Sequence, residues 1–322
     1  MPAKILYIAV PCYNEEDVLP ETAKRLLEKL AALIQSEKAS ENSRILFIND
    51  GSKDSTWEII KKLHAENCLF SGINLAKNSG HQNALFAGLM VAKDHADYCI
   101  SMDADLQDDI NAIDEMMDRA SEGFDIVYGV RSSREKDSFF KRSTAMCFYK
   151  LMGAMGVDIV YNHADYRLMN KAALEGLSGF KEVNLFLRGL VPMIGLSAST
   201  VEYKRGERFA GVSKYPLGKM LRFAMEGITS LSVKPIRMIT VIGFLSFLAS
   251  MVMLVYFIYD YMQGGTIAGW ASTIVSIWAI GGLQLLAIGI IGEYIGKIYL
   301  EVKERPRYII KDVLIKKPEQ SA

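Results

Sequence analysis

Tyr98-Cys-Ile-Ser-Met-Asp103-Ala-Asp105-Leu-Gln107-Asp-Asp109 is an apolar run that ends in a cluster of acids. The run reads as a buried strand. Its acids fall at the carboxyl end, where open α/β sheets bind their ligands. Carboxylates one residue apart, with an amide two further on, can hold a hard divalent cation. Such an ion takes oxygen ligands and bridges readily to phosphate. The spacing suits a nucleotide diphosphate carried by a metal. Short acidic clusters are also common as solvated turns, so the surrounding chain has to decide.

Upstream, Ile5 to Val10, Arg44 to Asp50 and Phe70 to Leu75 are apolar, β-prone runs, and Asp125 to Val130 follows downstream. Between them lie segments with helical spacing. Glu16 to Ile34 carries Leu19, Leu26, Leu27, Leu30 and Leu33 on one side. A helix with Trp57, Ile60 and Leu63 is expected to be capped by Ser55. Ala84 to Ala92 is a third helix. Strands alternating with helices of this length predict βαβ units and an α/β, doubly wound, mostly parallel sheet. Polar residues recur at the predicted strand ends: Asn14-Glu15-Glu16, Asn49-Asp50, Lys77-Asn78, Asp103-Ala104-Asp105 and Arg131. Neither GxGxxG nor GxxxxGK[ST] is present, so a classical dinucleotide dehydrogenase and a P-loop NTPase do not fit.

The 322 residues balance 37 Lys and Arg against 37 Asp and Glu. That excludes the basic excess of a nucleic-acid binder. Cys12, Cys68, Cys99 and Cys147 are scattered, with no CxxC pair, and read as reduced thiols with a packing role rather than a zinc site. No signal-peptide core is apparent near Met1, so the first domain is expected on the cytoplasmic side.

The hydrophobic excess lies near the C-terminus. No charge occurs between Arg237 and Asp260, nor from Tyr261 to Gly292. At about 1.5 Å per residue each run can cross about 30 Å of hydrocarbon. A buried soluble hairpin is the alternative. Lys234 and Arg237 precede the first run, and Lys297, Lys303, Arg305 and Arg307 follow the second, whereas the connection has no Lys or Arg. The positive-inside rule then puts both termini in the cytoplasm. Tyr215 to Val233 is amphipathic and is expected to lie in the interface plane, or else to pack as a surface helix. The resulting division is a catalytic domain at 1–212, a juxtamembrane segment at 213–234, two spans (238–260 and 267–292) within 235–298, and a cytoplasmic tail at 299–322.

Five motifs occur in order: Val10-Pro-Cys-Tyr-Asn-Glu-Glu16, Ile48-Asn-Asp-Gly-Ser-Lys-Asp-Ser55, Asp103-Ala-Asp-Leu-Gln107, His163-Ala-Asp-Tyr-Arg-Leu-Met169 and Arg208-Phe-Ala-Gly-Val-Ser-Lys214. Together they resemble the family 2, GT-A fold glycosyltransferases that load a sugar onto a polyprenyl phosphate. Gly292-Glu-Tyr-Ile-Gly-Lys297 and Glu304-Arg-Pro-Arg-Tyr-Ile-Ile310 are similar to the bacterial bactoprenol (undecaprenyl-phosphate) glucosyltransferases; dolichol-phosphate mannose synthases are a more distant likeness. The chain departs from many relatives at Lys77-Asn-Ser-Gly-His81, where they carry Arg-Asn-x-Gly-Lys.

The resemblance implies an inverting transfer from a UDP-sugar, such as UDP-glucose, to undecaprenyl phosphate, with Mg2+ or Mn2+ and with a homo-oligomer, by likeness a tetramer, at the inner membrane. UDP-N-acetylglucosamine is an alternative donor. Asp105 and Gln107 would contact the metal, and Asp103 the metal or ribose. Pro11, Tyr13, Glu15, Asp50 and Ala104 would frame the nucleotide. Asp165 would be a base or an orienter of the acceptor, or a structural partner of Arg167. Arg131, Arg142, Arg208 and Lys214 would meet phosphates. A processive synthase would require a Gln-x-x-Arg-Trp motif, and none of Trp57, Trp270 and Trp278 follows an Arg. A non-catalytic lipid carrier would not need Asp103, Asp105 and Asp165 together. If the orientation is right, a cysteine at Thr266 reacts with an impermeant thiol reagent in intact cells; reaction only after permeabilisation would reverse it.

Overall fold

The computed structural model describes residues 3–132, 155, 163–206, 228–230, 232–263 and 269–315. Eight strands form one sheet in the order β7-β5-β6-β4-β1-β2-β3-β8. β1 (Leu6–Cys12), β2 (Arg44–Asn49), β3 (Phe70–Leu75) and β4 (Tyr98–Ser101) make the parallel centre. Their residues are buried nearly throughout, as expected of strands covered on both faces. The helices between them are α1 (Leu19–Gln35), α2 (Thr56–Glu66) and α3 (His81–Lys93). The expected α/β, mostly parallel GT-A sheet is therefore present.

Three more strands complete the sheet beyond the five runs at 5–10, 44–50, 70–75, 98–102 and 125–130. β6 (His163–Asn170) runs antiparallel between β4 and β5 (Ile126–Arg131). β7 (Ala198–Tyr203) extends that side, parallel to β5. β8 (Ile310–Leu314), from the stretch assigned to the tail, pairs antiparallel with β3 at the opposite edge. Asn74 Nδ2 donates to Asp312 Oδ2 across that edge at 2.8 Å.

Two cores flank the sheet. One packs Leu19, Leu26 and Leu30 of α1, with Ile113 and Met116 of α4 (Ala112–Ser121), on Phe47 and Ile100. The other packs Leu85 and Leu89 of α3 with Leu174 of α5 (Lys171–Ser178) and Leu190 of α6 (Leu187–Met193). Pro20 occupies the first turn of α1, where its missing N–H costs nothing. The expected Ser55 cap of α2 is replaced by its neighbour: Asp54 Oδ1 accepts from the Thr56 N–H at 3.1 Å and from its hydroxyl at 2.6 Å.

α7 (Lys234–Met262) and α8 (Trp270–Val302) are long and apolar enough to cross a membrane. Their side chains project outward; Val252 and Leu285 are 68% and 71% exposed. α8 runs about ten residues past the expected end of the second span, carrying Glu293, Lys297 and Glu301 within the helix. The amphipathic stretch expected before α7 lies outside the described residues except at 228–230, 232 and 233.

α3 sits directly on the sheet because Gly88 has no side chain. A Cβ there would approach Ile48 Cδ1 to 2.6 Å. Gly88→Val is expected to force Ile48 and α3 apart at a cost of about 1–3 kcal/mol. The check is a lowered unfolding midpoint for the detergent-solubilised chain; an unchanged midpoint would contradict this packing.

Candidate active site

The carboxyl ends of β1, β2 and β4 converge with the start of α3. Tyr13 follows β1 and is 42% exposed, whereas Pro11 is buried within the strand. Asn14 adopts φ 54 and is tied to the next crossover, its Oδ1 accepting from the Lys53 N–H at 2.9 Å. The Glu15 N–H donates to Thr56 Oγ1 at 2.9 Å. Asp50, expected to frame the nucleotide, is buried and accepts from the Ser79 N–H at 2.7 Å and the Gly80 N–H at 3.0 Å. Burial raises its pKa, and those two bonds oppose the rise. It thus fixes the loop that starts α3. Gly51, at φ +63, lets that loop close in; a Cβ there would lie 2.6 Å from the Asn78 nitrogen.

The acidic turn is pinned from both sides. The Thr22 hydroxyl of α1 donates to the Ala104 carbonyl at 2.7 Å. Leu106 holds a left-handed φ of 56, a conformation costly for a leucine and most often kept at functional sites. Asp105 Oδ1 accepts from the Gln107 N–H at 3.2 Å. Gln107 Oε1 accepts from Arg205, a cation the sequence did not single out. Asp108, buried behind the turn, accepts from the Tyr203 hydroxyl at 2.6 Å, and Arg131 Nε approaches the same hydroxyl at 3.4 Å. Burial and the neighbouring Asp103 push Asp108 up to about 6.

Asp165 is the hub. Its Oδ1 accepts from Arg167 Nη2 at 3.0 Å, and its Oδ2 from Arg188 Nη2 at 3.0 Å. His81 Nε2 stands 3.7 Å from Asp165 Oδ2 and 3.5 Å from Asp103 Oδ1. Burial alone would raise the Asp165 pKa. Arg188, His81 and Arg167 outweigh it and hold the carboxyl well below the usual range. For His81, burial opposes protonation, but Asp165 and Asp103 prevail and raise its pKa. The expected Asp165–Arg167 pair is present, and the acid also faces the cleft. Arg188 escaped sequence reading because nothing in Leu187-Arg-Gly-Leu marks it until α6 docks. His163, the first residue of the fourth motif, is buried against the Tyr128 ring. Arg142, Arg208 and Lys214 lie outside the described residues.

Asp103 is raised by burial and further by Asp165 and Asp105, against the pull of His81. A cation beside it would relieve that crowding. Among the described residues no three His, Cys, Asp or Glu side chains form a ready metal cage. Asp103 and Asp105, one residue apart after β4, are oxygen donors of the kind a hard divalent cation takes.

The family model described as Glycosyl transferase family 2 matches residues 7–177. A Bacillus subtilis (strain 168) protein described as an uncharacterized glycosyltransferase, YkoT, is 55% identical over 306 residues, covering 95% of this chain and 91% of its own. The SfII prophage-derived bactoprenol glucosyl transferase of Shigella flexneri is 41% identical over 310 residues, covering 94% of this chain and 96% of its own. Glucosyl-3-phosphoglycerate synthase from Mycobacterium tuberculosis, crystallised with Mn2+, UDP and phosphoglyceric acid, aligns at a TM-score of 0.46 and 13% identity, over 71% of this chain and 77% of that one. The chain belongs to glycosyl transferase family 2 and is a glycosyltransferase.

Arg188 is the cleanest probe of the hub, because Asp165→Asn would leave the fully buried Arg167 without its counter-charge. Asp165 has a depressed pKa, so its ionised form persists from alkaline pH down into strong acid. Arg188→Ala is expected to raise that pKa and move the acid limb of the pH–activity profile upward. Turnover should fall by about tenfold or more, the worth of a charged hydrogen bond. Arg188→Lys should restore part of the loss; wild-type turnover and profile in Arg188→Ala would remove Arg188 from the site.

Proposed function

We propose that this family 2 glycosyltransferase moves a hexose, glucose from UDP-glucose, onto undecaprenyl phosphate, yielding a lipid-linked sugar for the cell envelope. The observation that carries it is one acid-and-arginine cluster over the strand ends, in a chain that also bears two membrane-length helices. A nucleotide sugar enters from water, whereas a polyprenyl phosphate stays in the bilayer. The 41% identity with a bactoprenol glucosyl transferase over nearly the whole chain supports the acceptor and the sugar. The catalytic domain at 1–212 and the tail would face the cytoplasm, with the spans in the inner membrane and 213–234 at its surface.

The bond from the anomeric carbon to the diphosphate breaks, and a bond from that carbon to an acceptor phosphate oxygen forms on the opposite face. A phosphate acceptor is already anionic near neutral pH, so the step needs no base. That agrees with Asp165, which Arg188 and Arg167 make a poor proton acceptor. Its part would be to orient: it fixes Arg188 and His81 where an anionic acceptor and donor meet. Asp103 and Asp105 would hold Mg2+ or Mn2+, which supplies charge neutralisation for the leaving diphosphate. Gln107 would join them only after releasing Arg205. Tyr13 and Glu15 would frame the nucleoside, with Ala104 beneath it and Pro11 setting the strand end. Arg131 and the undescribed Arg142, Arg208 and Lys214 would meet phosphates.

Purified chain, undecaprenyl phosphate and a panel of sugar nucleotides test the reading, with the lipid product identified by mass. UDP-glucose is expected to give a hexosyl lipid, chelator to abolish it, and added magnesium or manganese to restore it. Product only from UDP-N-acetylglucosamine would change the donor. Full activity after thorough chelation would remove the metal from Asp103 and Asp105.

A further inference from the structure

A second cavity, of about 1260 Å3, lies away from the acid cluster, where the apolar helices meet the soluble domain. Val233, just before α7, and Tyr294 and Ile298 of α8 form one wall. The loop after α5 and the segment after α8 form the other, with Phe86 of α3 between. Val233 and Ile298 are 54% and 59% exposed, so the apolar rim is open on the side of the membrane helices.

Most charged groups of the wall are already engaged. Glu301 accepts from the Val183 N–H at 2.7 Å and the Asn184 N–H at 2.8 Å. Lys297 donates to Ser230 Oγ at 2.8 Å. Arg307 stacks over the Phe86 ring at 4.6 Å and donates through Nη2 to the Phe180 carbonyl at 2.6 Å. Two buried atoms are left over. Arg307 Nη1 has no acceptor, and Glu182 Oε2 has no donor. The two side chains feel each other electrostatically yet are not hydrogen-bonded. An unmade buried bond is costly, and two of opposite type in one cavity match a ligand that carries an anion and an N–H donor together. Lys181, Lys297, Arg305 and Arg307 against Glu182, Glu301 and Glu304 give the wall mixed charge, which suits a zwitterion better than an anion.

We propose that this cavity holds the headgroup of one ethanolamine phospholipid, its phosphate on Arg307 and its ammonium on Glu182. The inference rests on α7 and α8 lying in a membrane. The lipid is a resident of the domain–membrane junction, separate from the acceptor that reacts.

The test uses the full chain, delipidated in detergent and then offered an equimolar mixture of phosphatidylethanolamine, phosphatidylcholine and phosphatidylglycerol. Native mass spectrometry counts the lipid retained. Phosphatidylethanolamine is expected to be held about tenfold over both others, the size of one charged hydrogen bond. Phosphatidylcholine lacks the N–H donors, and phosphatidylglycerol lacks the cation. Glu182→Gln should erase the preference over phosphatidylglycerol while keeping retention. Arg307→Ala should lower retention of all three, and Arg307→Lys, which keeps the charge if the alanine variant unfolds, should recover part of it. Equal retention of the three lipids by the native chain, or an unchanged preference in Glu182→Gln, would overturn the proposal. Retention is read without turnover, so it stands or falls separately from the sugar-transfer assay.

Discussion

The carboxylate of Asp165 between two guanidinium groups is the constraint on which the site depends. Arg167 is fully buried, and a charge there is tolerable only because Asp165 meets it and the Leu187 carbonyl accepts from it at 3.4 Å. The same segment is sewn to β4, where the Ser101 hydroxyl donates to the Asp165 carbonyl at 2.5 Å. One ion network thus fixes the antiparallel β6 in a largely parallel sheet. It also brings α6 to the cleft and sets Arg188 beside the turn that carries Asp103 after β4. Losing either guanidinium would leave Asp165 with one arginine partner among several other acids.

That crowd explains the electrostatic layout. Asp103, Asp105 and Asp165 gather at one cleft with Asp108 buried behind them; burial displaces Asp103 and Asp108 upward, Asp103 further by Asp165 and Asp105, and Asp108 further by Asp103. His81 stands between Asp103 and Asp165, and the two carboxylates raise its pKa against the effect of burial. Its planar ring lies within 3.7 Å of both carboxylates through one nitrogen.

The central strands were legible because a strand buried on both faces is a continuous apolar run, and β1 to β4 are such runs. The acids were legible because they interrupt one. β6 was harder to read as a strand, since His163, Asp165 and Arg167 break its apolar pattern and are paid for by partners distant in sequence. β7 alternates exposed and buried residues too gently, and β8 follows two membrane-length helices, where a tail is the simpler reading. Asp50 looked like a ligand because it sits at a strand end; only the fold brings Ser79 and Gly80 to it. Ser55 looked like a cap by residue type, and Asp54 took the role by reaching Thr56.

β8 has a consequence of parity. Its backbone bonds join residues 310–314 to β3 after the chain has passed through α7 and α8. A strand cannot pair through a bilayer, so any membrane entered after the sheet's first strands must be left again on the same side. If α7 and α8 enter a membrane, the crossings between β7 and β8 must be even in number. Two helices of spanning length satisfy that count, and one alone could not. The edge strand is a hem: it returns the thread to the cloth and leaves the two apolar helices tethered at both ends.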